Sequence, residues 1–265
     1  MPFVFHHFIR SYIMRSKRIE EIKEYIYENK TVTLDQICNN FKISKSTIRR
    51  DLSEILANGD IKKIYGGVTV LPEKELTPFE ERNISNQQVK ERIAAAAAEL
   101  VEDKDIIFID SGTTTLPIIE HIGTKKEVTI LTNNVEIIIH AIPYNNLNII
   151  SLSGTLNRKT LSFTGSSAAQ VLQNYNISKA FMAATGFSIA SGCTNSSPLE
   201  SDIKRMAVQR SQQVFLLADR SKCGVVSLIT YCNLSKINTL ITDEYPPEDI
   251  CDYIEDHGGR ILIAK

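Results

Sequence analysis

A polar loop at residues 110–115 combines residue types that bind small anions. It reads Asp110-Ser-Gly-Thr-Thr-Thr115 and lies between an apolar run and a segment of helical periodicity at residues 118–122. Gly112 allows the backbone to approach a ligand, while threonine hydroxyls and the free amides at a helix start can donate hydrogen bonds to it. The loop therefore predicts an anion site, although a threonine-rich helix cap without a ligand explains the same residues.

Polar residues also follow three other apolar runs, at Thr132-Asn-Asn134, Ser153-Gly-Thr155 and Asp219-Arg-Ser-Lys222. The carboxyl ends of parallel strands share one edge of a sheet, so these clusters are expected near the first loop. Local turn formation is the alternative for each cluster taken alone. Neither a GxxxxGK[ST] nor a GxGxxG motif occurs in the sequence, which favours a small phosphorylated ligand over a nucleoside triphosphate or a dinucleotide.

Residues 42–68 indicate a different chemistry, because a cationic helix there precedes a basic hairpin. Ser44 is expected to cap this helix and Gly59 to end it. Apolar residues at helical spacing make one face, which turns Ser46, Arg50 and Ser53 outward. A small, polar, cationic face fits the major groove of DNA, which is about 12 Å wide. A capped amphipathic helix in an ordinary bundle is the simpler alternative.

The preceding elements favour DNA binding. A first helix is predicted at Arg18–Asn29, and Thr33 with Gln36 forms a capping box at the start of a second helix. The turn at residues 42–44 then joins the second helix to the third. Three helices with this short turn have the spacing of a helix-turn-helix domain.

The hairpin that follows is expected to form a wing. The strands Ile61–Tyr65 and Val68–Val70 flank Gly66-Gly67, a pair that tolerates the positive φ angles of a two-residue turn. Lys62 and Lys63 lie on the first strand, where their ammonium groups are placed to meet backbone phosphates.

From residue 87 onward the sequence predicts an α/β domain. A helix starts near Gln88, and short apolar or β-branched runs then alternate with helical segments. This rhythm is typical of a mainly parallel sheet covered by helices on both faces. The predicted strands are Ile106–Ile109, Val128–Leu131, Asn148–Leu152, Ala180–Ala183, Val214–Ala218, Thr239–Ile241 and Arg260–Ile263.

Length and charge are consistent with two domains. The 265 residues have a net charge of −1, yet residues 15–70 hold eleven Lys and Arg against eight Asp and Glu, a local charge of +3. A weakly positive module gains DNA affinity by dimerisation, because one module neutralises few phosphates. Pro72 and Pro78 mark a linker. We predict four segments: a disordered extension (1–14), a winged helix-turn-helix domain (15–70), a linker (71–86) and an effector-binding α/β domain (87–265).

Cysteine usage and hydropathy exclude several classes. The five cysteines form no CxxC pair, and their odd number argues against a disulfide framework. Ordinary buried or surface thiols in a reducing cytosol are favoured over metal or redox roles. No run of about 18 uncharged apolar residues predicts a membrane span. Residues 1–14 make a poor signal peptide, because they lack a basic start and a small-residue cleavage site. A cytoplasmic protein without a metal or cofactor is expected.

The segment Ser44-Lys-Ser-Thr-Ile-Arg-Arg-Asp-Leu52, followed by Gly59 and Tyr65-Gly-Gly67, resembles the signature of the DeoR family of bacterial transcription regulators. The resemblance extends from about Arg15 to Lys265. That family usually has Arg and His in the wing where this chain has Lys63 and Tyr65, so a phosphate role is favoured there over base reading. The candidate DNA-binding residues are Thr33, Ser44, Lys45, Ser46, Thr47, Arg49, Arg50, Lys62, Lys63 and Tyr65.

Further segments resemble the DeoR effector domain, which is similar to sugar-phosphate isomerases of the ribose-5-phosphate isomerase type. They read DSGTT, TNN, SGTL, KAFMAATG, ESDIKRM and DRSKCG. Ala183 stands where the family tends to have Gly, and Thr185 where Asp is frequent, which bears on the shape and preference of the pocket. The resemblance implies an effector site at Asp110, Ser111, Gly112, Thr113, Thr114, Thr132, Asn133, Gly154, Lys204, Asp219 and Lys222.

These features predict a sequence-specific repressor of carbohydrate metabolism genes that a phosphorylated sugar releases from double-stranded operator DNA. The protein is expected to act as a dimer or tetramer. Three alternatives stay open: an activator of the same architecture, an isomerase with Glu200, Asp110 or Asp219 as base, and a simple surface ion pair between Glu200 and Lys204.

Overall fold

The computed structural model describes residues 3–56, 61–70 and 77–265, with side chains from Arg15 onward except at residue 16. The chain divides into two compact units, Met1–Pro72 and Glu73–Lys265. The helix end predicted at Gly59 and the first part of the predicted linker, residues 71–76, lie outside the described residues.

The N-terminal unit is a winged helix. Three helices precede a small antiparallel sheet in which the last strand is central. The elements in chain order are α1 (Phe3–Asn29), β1 (Thr31–Thr33), α2 (Leu34–Phe41), α3 (Lys45–Leu56), β2 (Ile61–Ile64) and β3 (Gly67–Val70).

Two elements of this unit differ from the sequence expectation. Helix α1 begins at Phe3 rather than at Arg18, so residues 3–14 are helical instead of forming a disordered extension. No Gly or Pro interrupts the chain between Phe3 and Asn29, which lets one helix continue through the segment. Strand β1 was not predicted, because three residues are too short to show a strand pattern.

The wing turn is also displaced by one residue. Ile64 pairs with Gly67, so the turn residues are Tyr65 and Gly66 rather than Gly66 and Gly67. Gly66 has a φ of +77°, while a Cβ at Gly67 would overlap the carbonyl oxygen of Val32 in β1. One glycine therefore supplies the turn conformation, and the other lets two strands pack closely.

The core of the N-terminal unit joins its three helices. Ile22 of α1, Ile37 of α2 and Ile48 of α3 are each fully buried. A charged contact lies beside this core, because buried Asp51 of α3 accepts a hydrogen bond of 2.9 Å from Arg18 of α1. The inner face of α3 is thus held to α1 by packing and by an ion pair, which fixes the direction of its outer face.

The C-terminal unit contains a seven-stranded sheet whose neighbouring strands are all parallel. All seven strands predicted from the sequence are present, with boundaries shifted by up to three residues. Across the sheet the order is β15-β14-β12-β9-β4-β5-β6. These strands are β4 (Ile106–Ile109), β5 (Val128–Thr132), β6 (Leu147–Ser151), β9 (Ile177–Ala183), β12 (Ser211–Leu217), β14 (Thr239–Thr242) and β15 (Arg260–Ile263).

Helices cover both faces of this sheet. Neighbouring residues of β4 point to opposite sides, so Ile107 belongs to one apolar cluster and Phe108 to the other. The first cluster includes residues of α5 (Gln87–Ala98), α6 (Ile118–His121) and α7 (Val135–Ala141). The second includes residues of α8 (Ser166–Leu172), α9 (Pro198–Arg210) and α10 (Glu248–Asp256).

Several short elements around the sheet were not predicted. Helix α4 lies inside the predicted linker. Two short strands form an antiparallel hairpin, three form an antiparallel sheet, and β1 joins the sheet of the wing. Strands of three or four residues with turn residues between them show little periodicity, so the sequence pattern does not reveal them. They are α4 (Phe79–Ile84), β7 (Thr155–Asn157), β8 (Ser162–Thr164), β10 (Gly186–Ser188), β11 (Gly192–Asn195) and β13 (Ile229–Cys232).

All five cysteines are free thiols. Within the described ranges, no helix is both long enough and apolar enough to cross a membrane.

Candidate functional site

The two helices of the helix-turn-helix motif begin at capped residues. The Thr33 hydroxyl accepts from the Gln36 amide at 3.2 Å, and Gln36 accepts in return from the Thr33 amide at 2.8 Å, which is the predicted capping box. Lys42 ends α2 in the left-handed region with a φ of 52°. Ser44 then accepts from the Thr47 amide at 3.3 Å, as expected for the residue that caps α3.

The outer face of α3 presents cations to solvent. Ser46, Arg49 and Arg50 are exposed, whereas Ile48 and Leu52 face the core. Neither arginine forms an ion pair with any residue that the structure describes. The guanidinium groups are therefore free to contact a polyanion.

The other candidate DNA-binding residues are placed less uniformly. Lys45 forms an ion pair with Asp35 at 2.6 Å, and Thr47 is half-buried, so neither is as available as the arginines. On the wing, Lys62, Lys63 and Tyr65 are all exposed. Thr33, Ser44 and Ser46 are exposed as well, but the first two serve as caps and Ser46 bonds to Ser44 at 2.8 Å.

The second candidate site lies in the C-terminal unit, where the strand order reverses. From β4 the chain continues outward through β5 and β6, whereas from β9 it continues the other way through β12, β14 and β15. Ligands of open parallel sheets bind beyond the carboxyl ends of the strands at such a point. The loops after β4 and β9 line a polar cavity of about 320 Å³ there.

The loop after β4 is held in a tight turn against the end of β9. The Thr115 hydroxyl donates to the carbonyl oxygens of Asp110 at 2.7 Å and Gly112 at 2.8 Å. A Cβ on Gly112 would overlap the Cβ of Ala183, so close packing between the two loops requires glycine here. Gly112 therefore lets the two loops pack closely, in addition to allowing a ligand to approach the backbone.

The predicted helix N-terminus behind this loop is absent, because α6 has only four residues and begins at Ile118. The turn at residues 113–117 replaces its first part. The amides of Gly112, Thr113 and Thr114 donate no hydrogen bond to other described residues. An anion could therefore accept from the loop amides themselves.

Lys204 and Asp110 form a buried ion pair in the cavity floor. Their side chains are 4% and 1% exposed, and the Lys204 ammonium contacts the Asp110 carboxylate and donates to the Ala183 carbonyl at 3.0 Å. The same carboxylate accepts from the Ala183 amide at 2.9 Å. The charge of Lys204 is already neutralised, which weakens its expected role as the phosphate partner.

Glu200 has its own partners and does not pair with Lys204. Its carboxylate accepts from the Ser162 hydroxyl at 2.6 Å and from the Asn195 amide at 3.3 Å. The surface ion pair considered as an alternative is wrong, because both side chains are buried and point to different partners. Ser162 belongs to β8 and Asn195 to β11, so the unpredicted short strands complete this wall of the cavity.

Three other cations line the cavity without a close anionic partner. Arg82 and Lys90 come from α4 and α5, and Lys222 follows β12 after Asp219. None of these cations has an ion pair among the described residues. Burial, with help from the nearby positive charges of Lys222 and Arg82, lowers the pKa of Lys90 to about 8 against the opposing effect of Asp219. Burial also lowers the pKa of Arg82, while Glu200 and Asp110 oppose that shift.

The cavity brings together most of the candidate effector residues. Ser111, Gly112, Thr113, Thr114, Lys204, Asp219 and Lys222 line it. Asp110 lies directly beneath through its contact with Lys204.

Thr132, Asn133 and Gly154 do not line the cavity. The Thr132 hydroxyl accepts from the Asn134 amide, and the Asn133 side chain donates to the Phe163 carbonyl at 3.1 Å. Gly154 has a φ of +145° and packs against the backbone of Thr164. Asn133 and Gly154 therefore contact strand β8, and Thr132 bonds within its own loop.

Sequence reasoning missed Arg82 and Lys90. Arg82 lies in a segment interpreted as linker, and α4 is too short to show periodicity. A signal for Lys90 was present, because it precedes Ile93 and Ala97 on the buried face of α5 at helical spacing. A lysine on the apolar stripe of a helix indicates a buried cation that needs a partner.

A helix-turn-helix unit and an α/β unit with a cationic cavity define a class of protein that binds DNA and senses a small ligand. Residues 18–74 match the family model for the DeoR-like helix-turn-helix domain, and residues 85–244 match the DeoR C terminal sensor domain. The chain belongs to the DeoR family of helix-turn-helix transcriptional regulators, which confirms the resemblance seen in the sequence.

The names of two relatives agree with this assignment. The chain is 42% identical over 251 residues to the HTH-type transcriptional regulator IolR of Bacillus subtilis, an alignment that covers 95% of this chain and 100% of the relative. It is 28% identical over 253 residues to the HTH-type transcriptional repressor GlcR of the same organism, covering 95% and 97%. Ribose 5-phosphate isomerase A from Methanocaldococcus jannaschii superimposes on 52% of this chain and 55% of its own, with a TM-score of 0.39 and 18% identity.

Proposed function

We propose that this regulator is a repressor of carbohydrate metabolism genes, released from its operator when a phosphorylated sugar occupies the cavity of the C-terminal unit. It would act in the cytoplasm as a dimer or tetramer that binds double-stranded DNA through paired α3 helices. The observation that carries the proposal is the cavity itself. Its wall combines free amides and hydroxyls with three cations that have no close anionic partner among the described residues.

The composition of the cavity supports an anionic, hydroxylated ligand. With the Lys204–Asp110 pair set aside, the described cavity lining contains three cations, Arg82, Lys90 and Lys222, and two carboxylates, Glu200 and Asp219. Buried cations are normally paired, so the surplus positive charge favours a ligand with at least one negative group. The carboxylates can accept hydrogen bonds from sugar hydroxyls, and the side-chain amides can both donate to them and accept from them.

The isomerase alternative receives little support from the carboxylates. A general base must reach a substrate C–H with an available oxygen. Asp110 is paired with Lys204, Glu200 accepts two hydrogen bonds from the protein, and Asp219 accepts from the amide of Ser221. Each carboxylate is therefore already used to hold the site together, which agrees with a binding role.

The test uses the full chain and an operator selected from random duplexes. Fluorescence anisotropy measures operator binding while phosphorylated sugars and the corresponding free sugars are added as matched pairs. We expect release by at least one phosphorylated sugar at concentrations where its free counterpart has no effect. Release by free sugars with equal potency would refute a phosphate-dependent effector. Conversion of a phosphorylated ketose to the aldose, followed by nuclear magnetic resonance, would instead establish the isomerase alternative.

A further inference from the structure

Two cysteines face each other inside the C-terminal unit. Cys193 of β11 and Cys232 of β13 are directly opposite in the antiparallel pair that these strands form. Cys193 is 0% exposed and Cys232 is 9% exposed, and both belong to the same apolar cluster. Opposed residues of antiparallel strands have Cα atoms about 4.5–5.5 Å apart. A disulfide needs a Cα separation of about 4.4–6.8 Å, so the strand register satisfies this condition.

A bulge beside this pair directs Tyr231 toward the cavity floor. The register of β11 and β13 shifts immediately after Cys193, which leaves Tyr231 as an extra residue of β13. Regular alternation would place Tyr231 and Cys232 on opposite faces, yet both are buried. The Tyr231 hydroxyl donates to the Ala183 carbonyl at 3.1 Å, and the Lys204 ammonium donates to the same oxygen at 3.0 Å. The cysteine pair therefore adjoins a residue that supports the floor.

Strand β11 also holds several residues of the cavity lining. Thr194, which follows the first cysteine, accepts from the Thr185 amide through its carbonyl and from the Ser227 amide through its hydroxyl, each at 2.9 Å. The Asn195 side chain donates to the Glu200 carboxylate at 3.3 Å. Thr185, Ser227 and Asn195 all line the cavity. A displacement of β11 would therefore change the shape of the cavity.

We propose that Cys193 and Cys232 form a reversible disulfide when hydrogen peroxide oxidises them, and that this bond changes the response of the cavity to its effector through Tyr231 and β11. The disulfide itself is independent of the proposed function, whereas its effect on the effector response rests on that function. Disulfides in reducing compartments are usually transient and redox-sensing, which is the behaviour proposed. Buried cysteines that only fill the core as small apolar side chains are the alternative.

The surroundings of the two thiols set the order of reaction. The neighbouring Cys232 thiol and then burial raise the pKa of Cys193 well above its usual range, while Tyr231 and Lys204 oppose that shift. Cys193 therefore remains a thiol. Cys232 retains some exposure, so peroxide reacts first with its thiolate.

The oxidation then takes two steps. The Cys232 sulfur attacks one peroxide oxygen, an S–O bond forms and the O–O bond breaks, and the released hydroxide takes up the proton that Cys232 has lost. The Cys193 sulfur next attacks the sulfur of this sulfenic acid, an S–S bond forms and the S–O bond breaks. The departing hydroxide takes the Cys193 proton. Two thiols and one hydrogen peroxide thus give one disulfide and two waters, with both electrons passing to the peroxide.

The bond would move the strands by a distance that matters at the floor. Opposed Cβ atoms lie about 4.5–5.5 Å apart and a disulfide holds them near about 3.8 Å, so β11 and β13 must approach by about 1 Å. The irregular pairing at the bulge takes up this shift and moves Tyr231. A displacement of this size breaks a hydrogen bond of 3.1 Å, which leaves the Ala183 carbonyl to Lys204 alone.

Peptide mapping tests the disulfide. The full chain is treated with hydrogen peroxide in its folded state, remaining thiols are alkylated, and the digest is analysed by mass spectrometry. We expect one crosslink, between the peptides of Cys193 and Cys232, that dithiothreitol reverses, while Cys38, Cys223 and Cys251 stay alkylated. Chain oxidised in guanidinium serves as the control for unspecific pairing. Unmodified Cys193 and Cys232, or crosslinks like those of the unfolded chain, would overturn the proposal.

Amide hydrogen exchange tests the connection to the cavity without any ligand. Oxidation should speed exchange at residues 183–186 by at least five-fold in wild type and in the control Cys251→Ala, and should have no such effect in Cys193→Ala. Each protein is compared with its own reduced form, so a loss of stability in a variant does not enter the comparison. Cys232→Ala replaces Cys193→Ala if that variant fails to fold. Unchanged exchange in crosslinked wild type would overturn the connection to the floor.

Operator release distinguishes this proposal from the function on which its effect rests. For a phosphorylated sugar that releases reduced wild type, the concentration needed for half-release should change by at least five-fold after oxidation, return with dithiothreitol, and stay constant in Cys193→Ala. Equal concentrations before and after oxidation would refute the regulatory effect while leaving the proposed function intact. If no phosphorylated sugar releases reduced wild type, the proposed function fails, and mapping and exchange still decide the disulfide and its connection to the cavity.

Discussion

Lys204→Met is the sharpest test of how the cavity floor is built. The change removes the ammonium and keeps most of the apolar stem, and it leaves the Asp110 carboxylate charged and 1% exposed. Breaking a buried ion pair in this way typically costs about 3–5 kcal/mol. The lower end is expected here, because Asp110 keeps its hydrogen bond from the Ala183 amide at 2.9 Å and the Ala183 carbonyl keeps one from Tyr231 at 3.1 Å.

The assay is guanidinium unfolding of the full chain, followed by far-ultraviolet circular dichroism because the chain has no tryptophan. The two units can unfold in separate transitions. Ile48→Ala changes the core of the N-terminal unit, so the transition that this variant does not shift belongs to the C-terminal unit. Lys236→Met is the control for loss of an exposed lysine.

The double variant Lys204→Met with Asp110→Asn separates the buried charge from other effects. It removes one positive and one negative charge, so it should recover at least half of the lost stability and leave the net charge of the cavity unchanged. A loss below about 1 kcal/mol for Lys204→Met, a value typical of exposed pairs, would refute the buried pair. A double variant as unstable as the single one would show that the uncompensated carboxylate is not the cause.

Three further outcomes are expected. Arg50→Ala should weaken operator binding by about 1–3 kcal/mol in fluorescence anisotropy and relax the sequence preference at one base pair. Unchanged binding by both Arg50→Ala and Arg49→Ala would argue against α3 as the helix that enters the major groove. The ligand-free C-terminal unit should become more stable as the pH rises from about 8 to 10.5, because Lys90 binds a proton less tightly in the folded unit than in the unfolded chain. Unfolding measured at each pH should show this gain in wild type and not in Lys90→Met. Gly112→Ala should destabilise the unit by at least about 1 kcal/mol in the same unfolding assay, since its Cβ overlaps that of Ala183, and Ala183→Gly should relieve the loss.

Local signals explain what the sequence predicted correctly. The Thr33–Gln36 capping box depends on residues three apart, and the apolar face of α3 depends on spacing within twelve residues. The buried parallel strands are continuous apolar runs, so β4 was found with the boundaries that the structure has. Patterns of this kind are complete within one element.

The errors have a common physical origin in long-range contacts. Lys204 and Asp110 are 94 residues apart in sequence, and nothing near either one shows that their charges cancel. Arg82 lines the cavity from α4, and α4 is held in place by contacts distant in sequence, including the bond from the Phe79 amide to the Lys159 carbonyl. Asn133 and Gly154 follow strands as predicted, but the hairpin that they support could not be recognised from its three-residue strands.

The order in which the two units are synthesised has a consequence for the cell. The cavity residues run from Thr77 to Ser227, and residues 110–176 separate β4 from β9, which meet at its centre. The N-terminal unit ends near Pro72, so it leaves the ribosome first and can fold first. A nascent chain would therefore possess its recognition helix well before it can respond to an inducer. Once the cavity is closed, a bound ligand stabilises the folded unit by mass action, so that inducer would also protect the newly made sensor from degradation.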